Sequence, residues 1–154
     1  MKQLLISLLL AIPASTLAAS PLLKASFADL NGKPQAIKQW QGKPMVVNYW
    51  ATWCGPCRQE MPELIELQKK YQGKVQFIGI AIDEVDAVKA FIKPLGMNYP
   101  MLIGGNTAMD IMRSDGNLHG GLPFTVIYDA KGNMRSVELG KIKKSKLDEI
   151  LQKL

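Results

Sequence analysis

Cys54 and Cys57 are the only cysteines among 154 residues, and they stand three positions apart in Trp53-Cys54-Gly55-Pro56-Cys57. A bond between them would close a very small ring, the case in which a cross-link removes least chain entropy, about 2 kcal/mol at best. A chain of this length can bury a core without such help, so the pair suggests chemistry and not reinforcement. Three chemistries use thiols in this way: disulfide exchange, metal ligation and reaction with peroxide. A closed zinc site would need two more ligands, yet there is no second Cys-x-x-Cys and His119 is the only histidine. Transient two-coordinate copper(I) stays open, because soft thiolates suit that ion. A peroxidase would be expected to show a lone peroxidatic cysteine. No resident metal or cofactor is expected beyond the dithiol itself.

The elements around the pair sharpen the exchange reading. Met45 to Trp50 is an apolar run of strand length, with the look of a strand buried on both faces. The dithiol follows, and a helix should run from it to about Tyr71, with Leu64, Ile65 and Leu67 inward, Pro62 bending it and Gly73 stopping it. Cys54 would then sit at a helix N-terminus, where unpaired N–H groups and the macrodipole favour a thiolate. Cys57, one turn further in, would be the more buried thiol. Cys54 is therefore expected to attack and Cys57 to resolve the mixed disulfide. Gly55 permits the tight turn, Pro56 suits a first helical turn, and Trp53 offers a flat apolar face to a partner.

The remaining chain alternates strands and helices. Phe27 to Leu30 and Lys33 to Ile37 read as a hairpin about a two-residue Asn31-Gly32 turn. Val75 to Ile82 is a second buried strand. Asp83 should cap the next helix, in which Val88, Phe91, Ile92 and Leu95 recur at helical spacing. Pro100 to Ile103 is a short strand, and Thr107 should cap a brief helix through Arg113 with Ile111 and Met112 inward. Phe124 to Tyr128 and Met134 to Leu139 form a hairpin turning at Asp129 to Asn133, and Ser145 should cap a last helix carrying Leu147, Ile150, Leu151 and Leu154. This order argues for an α/β fold with a mixed central sheet.

Residues 1–19 read as an export signal: Lys2, an apolar run from Leu4 to Ile12, Pro13, then small residues at Ala18-Ala19-Ser20. The run is shorter than the roughly 20 residues that span a bilayer, so cleavage is expected, with an uncleaved anchor as the alternative. A periplasmic or otherwise exported domain over 20–154 follows. The formal charge is +6, but Lys141, Lys143, Lys144 and Lys146 form the only dense basic cluster, without interleaved arginines or aromatics. That excludes nucleic acid as a partner and reads as a solvated helix start.

The stretch Val46 to Pro62, with Trp53-Cys54-Gly55-Pro56-Cys57 at its centre, closely resembles the active site of thioredoxin-like proteins. More narrowly, it is similar to the TlpA-like branch of exported, often membrane-tethered thiol–disulfide oxidoreductases. The N-terminal hairpin, the insertion over residues 82–113 and Gly121-Leu122-Pro123-Phe124-Thr125 match the same branch. The resemblance implies a thioredoxin-like fold over about residues 25–154, with an N-terminal β-hairpin and a central helix–strand insertion. It implies that Pro123 is cis, that its loop with Leu122 lies against the dithiol and presents backbone to a client, and that Glu60 serves Cys57 as proton acceptor and donor. Two departures stand out. Thioredoxins proper carry a buried aspartate where this chain has Asn48, so that proton route is absent here and falls to Glu60 or water. Leu122 stands where many relatives have threonine or valine. His119, just upstream, reads as an exposed turn residue able to bias thiolate stability, and Trp40 and Trp50 read as core.

Gly55-Pro56 is also the dipeptide of thioredoxin, whose couple lies near −270 mV, about 150 mV below that of the oxidant DsbA, roughly 7 kcal/mol. By resemblance the direction is reductive, with electrons from a membrane thiol carrier. The clients would be disulfide-bearing proteins, for instance in cytochrome c maturation or copper-centre assembly, served by a monomer. An oxidant or isomerase of secreted proteins and a copper(I)-binding module are the competing readings.

Overall fold

The computed structural model describes residues 20–154, so the leader expected over 1–19 lies outside the described residues. After a short 3-10 turn at Pro21–Lys24 comes a hairpin, β1 (Ser26–Asp29) antiparallel to β2 (Pro34–Ala36). Its turn differs from the expected two-residue connection. The Asp29 carboxylate accepts the N–H groups of Asn31 and Lys33 at 2.8 and 3.0 Å, and Gly32 takes φ +80°. The side chain thus adds to the backbone bonds between Gly32 N–H and Asp29 O and between Asp29 N–H and Lys33 O, and glycine supplies the positive φ that closes the wider loop. The second hairpin, β6 (Phe124–Tyr128) to β7 (Met134–Leu139), is turned in the same way, with Asp129 accepting from Lys131 and Asn133, both at 2.9 Å.

Between the hairpins lie β3 (Met45–Trp50), α1 (Gly55–Lys70), β4 (Gln76–Ala81), α2 (Val85–Ile92), β5 (Met101–Ile103) and α3 (Gly105–Ser114), and α4 (Lys144–Leu151) ends the chain. The seven strands form one sheet in the order β2-β1-β5-β4-β3-β6-β7. β3, β4 and β5 run parallel, while β1 joins β5 and β6 joins β3 antiparallel. This is the thioredoxin-like fold, with the hairpin extending one edge and α2, β5 and α3 forming the central insertion. All six residues of β3 are buried. Val46 and Trp50 pack towards Cys57, Met61, Leu64 and Leu67 of α1, with Leu147 and Leu151 of α4. Met45, Val47 and Tyr49 face Ala108, Ile111 and Met112 of α3 and the short 3-10 turn bearing Leu22 and Leu23. Strand alternation therefore turns Asn48 towards α1.

Three expected helix caps are corrected. α2 starts behind Glu84, α3 behind Gly104 and α4 behind Lys143, none with a side-chain cap. The Lys144 N–H donates instead to Glu63 of α1 at 3.2 Å, so a tertiary acceptor replaces Ser145. At Gly104 packing sets the start: a Cβ there would lie 2.5 Å from Ala108 Cβ and 2.6 Å from Ile80 Cγ2. Gly104→Ala should therefore lower stability by about 1–3 kcal/mol, read as an earlier urea midpoint, and an unchanged midpoint would mean that the helix start can shift freely. The lysine cluster is likewise paired and not merely solvated. Lys141 meets Glu63 at 3.2 Å, Lys146 meets Glu138 at 2.6 Å, and Lys144 meets Glu66. Each surface pair contributes little alone, but Lys70–Asp148 at 2.6 Å and Lys144–Glu66 join α4 to α1, Lys141–Glu63 joins the segment before α4 to α1, and Lys146–Glu138 joins α4 to β7. No helix among the described residues is long and apolar enough to cross a membrane.

Candidate active site

β3 delivers the chain to the N-terminus of α1, and Cys54 is the residue that caps it. Its Sγ accepts the Cys57 N–H at 3.3 Å, and the two cysteines are joined in a disulfide. Gly55 and Pro56 are the first two helical residues and are exposed. The two sulfur-bearing residues are unequal: Cys54 is 6% exposed and Cys57 is closed to solvent at 0%. Trp53 stands beside them 69% exposed, an open apolar face at the mouth of the site.

The loop before the dithiol is braced by a residue first read as a helix cap. The Asp83 carboxylate accepts the Thr52 N–H at 2.8 Å and the Thr52 hydroxyl at 2.6 Å, while its other oxygen accepts the Glu84 N–H. Partial burial alone would raise its pKa, but these bonds outweigh that and hold it below the ordinary carboxylate value. Asp83→Ala should cost about 1–3 kcal/mol, since hydrogen bonds to a charged group are the stronger kind. Hydrogen exchange at Thr52 should rise with it, and unchanged protection there would contradict the bracing role.

Glu60 lies one helical turn beyond Cys57 on the same face, as its spacing requires, and it is only 1% exposed. Asn48 Nδ2 donates to its Oε1 at 2.7 Å and the Ile142 N–H donates to its Oε2 at 3.1 Å. Asn48 Nδ2 also donates to Thr125 Oγ1 on β6 at 3.0 Å. Burial pushes the Glu60 carboxyl up to about 7, against the Asn48 and Ile142 bonds and the Lys141 charge, which favour the ionised form; Glu63 adds to the rise. Tyr99, itself buried, has its phenol raised by burial and by the charge of Glu60. A carboxyl that titrates near neutrality can both take up and release a proton.

The Leu122–Pro123 peptide bond is cis. Pro123 is buried, and Leu122 packs half-buried against the cluster that holds both cysteines. The Pro123 carbonyl accepts the Gly140 N–H at 2.8 Å, tying the loop to the end of β7. His119 is exposed, Trp50 is fully buried and Trp40 is half-buried.

A family model described as Redoxin matches residues 12–151. The chain belongs to the Redoxin family. Its relatives specify the branch. It is 37% identical over 130 residues to the thiol-disulfide oxidoreductase ResA of Bacillus thuringiensis subsp. konkukian, covering 82% of this chain and 72% of that one. A thioredoxin family thiol:disulfide interchange protein from Chlorobium tepidum superposes with TM-score 0.78 at 30% identity, over 88% of this chain and 95% of the other. A secreted disulfide oxidoreductase of Mycobacterium tuberculosis, homologous to Escherichia coli DsbE, gives TM-score 0.74 at 25% identity over 88% and 100%. This redoxin is thus a TlpA-like thiol–disulfide oxidoreductase of the thioredoxin superfamily, with Cys54 and Cys57 as its Cys-x-x-Cys pair.

Within this redoxin, Thr125 and Ile142 are the site residues that sequence reasoning missed. Thr125 is the single aliphatic hydroxyl in the buried run Phe124 to Tyr128, as Asn48 is the single amide in Met45 to Trp50. An isolated polar residue in each of two buried strands is a signal that the two meet, because a buried polar group needs a partner. The Ile142 contribution is a backbone N–H and leaves no mark in the sequence.

Proposed function

We propose that this redoxin is an exported reductase of protein disulfides in which Cys54 attacks, Cys57 resolves and Glu60 carries the proton of Cys57. The observation that carries the reading is the inequality of the dithiol: Cys54 caps α1 and keeps a narrow opening to solvent at 6% exposed, while Cys57 is closed at 0%, one helical turn from the buried Glu60. In the reductive direction the Cys54 thiolate attacks one sulfur of a client disulfide, and the other client sulfur leaves as thiolate and is protonated. Cys57 then loses its proton to the Glu60 carboxylate and attacks Cys54 Sγ. The Cys54–Cys57 disulfide forms, the second client sulfur departs as thiolate, and two electrons have passed to the client. Trp53, Pro56 and Leu122 would flank the bound client segment, and the loop of Pro123 would offer it backbone.

Gly55-Pro56 supports the reducing direction, and the secreted Mycobacterium tuberculosis relative supports export. Electrons would come from a membrane thiol donor, and the client class comprises cytochrome c maturation and copper-centre assembly proteins. Mixing the fully reduced protein with an oxidised model protein disulfide tests the direction. Two client thiols should appear for each dithiol lost, whereas net oxidation of a reduced client by the Cys54–Cys57 disulfide would overturn the assignment.

A further inference from the structure

Asn48 is placed to control the one titrating group buried beside the resolving cysteine. Both of its amide hydrogens are committed, one to Glu60 Oε1 at 2.7 Å and the other to Thr125 Oγ1 at 3.0 Å. The ionised Glu60 carboxylate, which can only accept, sets the amide so that nitrogen and not oxygen faces it, and the Thr125 hydroxyl oxygen takes the second amide hydrogen. From the other side the Ile142 N–H holds Oε2 at 3.1 Å. Glu60 is thereby held from the sheet by Asn48 and from the segment before α4 by Ile142, with its side chain closed to solvent. The ionisable groups around it are Cys57 and Glu63 on its own helix, Lys141 beside Ile142, and Tyr99 from the insertion. Among these, only Lys141 favours the carboxylate by its charge, and it is itself engaged by Glu63 at 3.2 Å. The Asn48 amide is thus the main side-chain donor opposing the effect of burial.

We propose that Asn48 is a positioning residue for disulfide exchange, acting through Glu60: it holds the carboxyl in one orientation next to the resolving cysteine and keeps its proton exchangeable. The proposal rests on the proton role of Glu60 proposed above. Without the amide donor the buried carboxyl is left with the Ile142 N–H alone, and its protonated form is favoured across the working pH range. Exchange should then demand a higher pH. Asn48 itself gains and loses no proton, so its effect must vanish when Glu60 is removed.

The test compares wild type, Glu60→Gln, Asn48→Leu and the double variant by the pH profile of client reduction and by NMR titration of the carbon-labelled glutamate side chain. Asn48→Leu should move the Glu60 carboxyl titration and the rate inflection upward together by about one pH unit or more, and the double variant should match Glu60→Gln. Asn48→Asp, which keeps the shape of the side chain, should give a carboxyl pair that titrates in two separated steps. If Glu60→Gln alters the profile but neither Asn48 variant moves the Glu60 titration, Asn48 has no positioning role. If Glu60→Gln leaves the profile unchanged, the proton role of Glu60 fails and the proposal fails with it. An Asn48→Leu effect that persists in the double variant would mark Asn48 as structural and overturn the proposal.

Discussion

Cys57→Ser is expected to accumulate a stable mixed disulfide with a client through Cys54, while Cys54→Ser should form none and should reduce client disulfides no faster than the uncatalysed reaction. The difference follows from position. Cys54 is the capping residue of α1, with the unpaired N–H groups and positive dipole end of the helix directed at its sulfur. That environment lowers a thiol pKa, and the thiolate is the attacking species. Cys57 is fully buried within the first turn, where a client disulfide cannot approach in line with its sulfur. Once Cys54 is joined to a client, however, the Cys57 sulfur is already within bonding reach of Cys54 Sγ, as their disulfide demonstrates. Serine at 57 removes the resolving step alone, so the intermediate is trapped. Mass mapping of the trapped adduct should find the client on Cys54. Equal trapping by both variants would mean that the two sulfurs are interchangeable and that the helix end does not direct the attack.

The stability of the oxidised protein should fall as pH rises from about 4.5 to about 7, and Glu60 should account for about 3 kcal/mol of that fall. The folded carboxyl is raised to about 7, mainly by burial, from the ordinary value of 4.5. Between those values the native chain keeps a proton that the unfolded chain has released. The native state therefore binds more protons, and stability declines with pH across that window. Below it both states are protonated and above it both are ionised, so the contribution is flat at either end. Glu60→Gln cannot titrate. It carries a fixed cost, because an amide facing the Asn48 amide and the Ile142 N–H must oppose one of the two donors. Its stability relative to wild type should nevertheless improve as pH rises through the window. Urea midpoints at about pH 4.5 and pH 8 check this, and parallel curves for the two proteins would place the Glu60 titration outside the window. Client reduction should mirror it: the two proteins should converge below about pH 6 and differ on the order of a hundredfold above pH 8, where the carboxylate is available to accept the Cys57 proton.

These two expectations draw unequally on what can be read from the chain. The strand Met45–Trp50, the dithiol at a helix start and the second hairpin strands Phe124–Tyr128 and Met134–Leu139 coincide with their sequence patterns, because each is a local matter of apolar runs, turn residues and spacing. The helix starts did not follow local rules. Lys144 finds its acceptor in Glu63, more than eighty residues earlier, and Gly104 is dictated by the closeness of Ile80 and Ala108. Asp83 has the chemistry of a cap, and it spends that chemistry on Thr52 across the site. The same holds for Glu60. Helical spacing placed it on the Cys57 face, but its enclosure depends on Asn48, Tyr99 and Ile142, which reach it from three other parts of the chain. Asn48 read alone was only a missing aspartate; beside Glu60 it is the donor that holds the carboxyl. Lys141 and Lys144 read as solvated because their acidic partners on α1 are distant in sequence.

The reduction potential of the Cys54–Cys57 couple tests the central claim most directly. Equilibration against a dithiol series, read by the fraction of protein carrying the disulfide, should give a value near the reducing end of the family, on the order of −270 mV. A value above about −180 mV would make the protein an oxidant of its clients and contradict the reductase assignment.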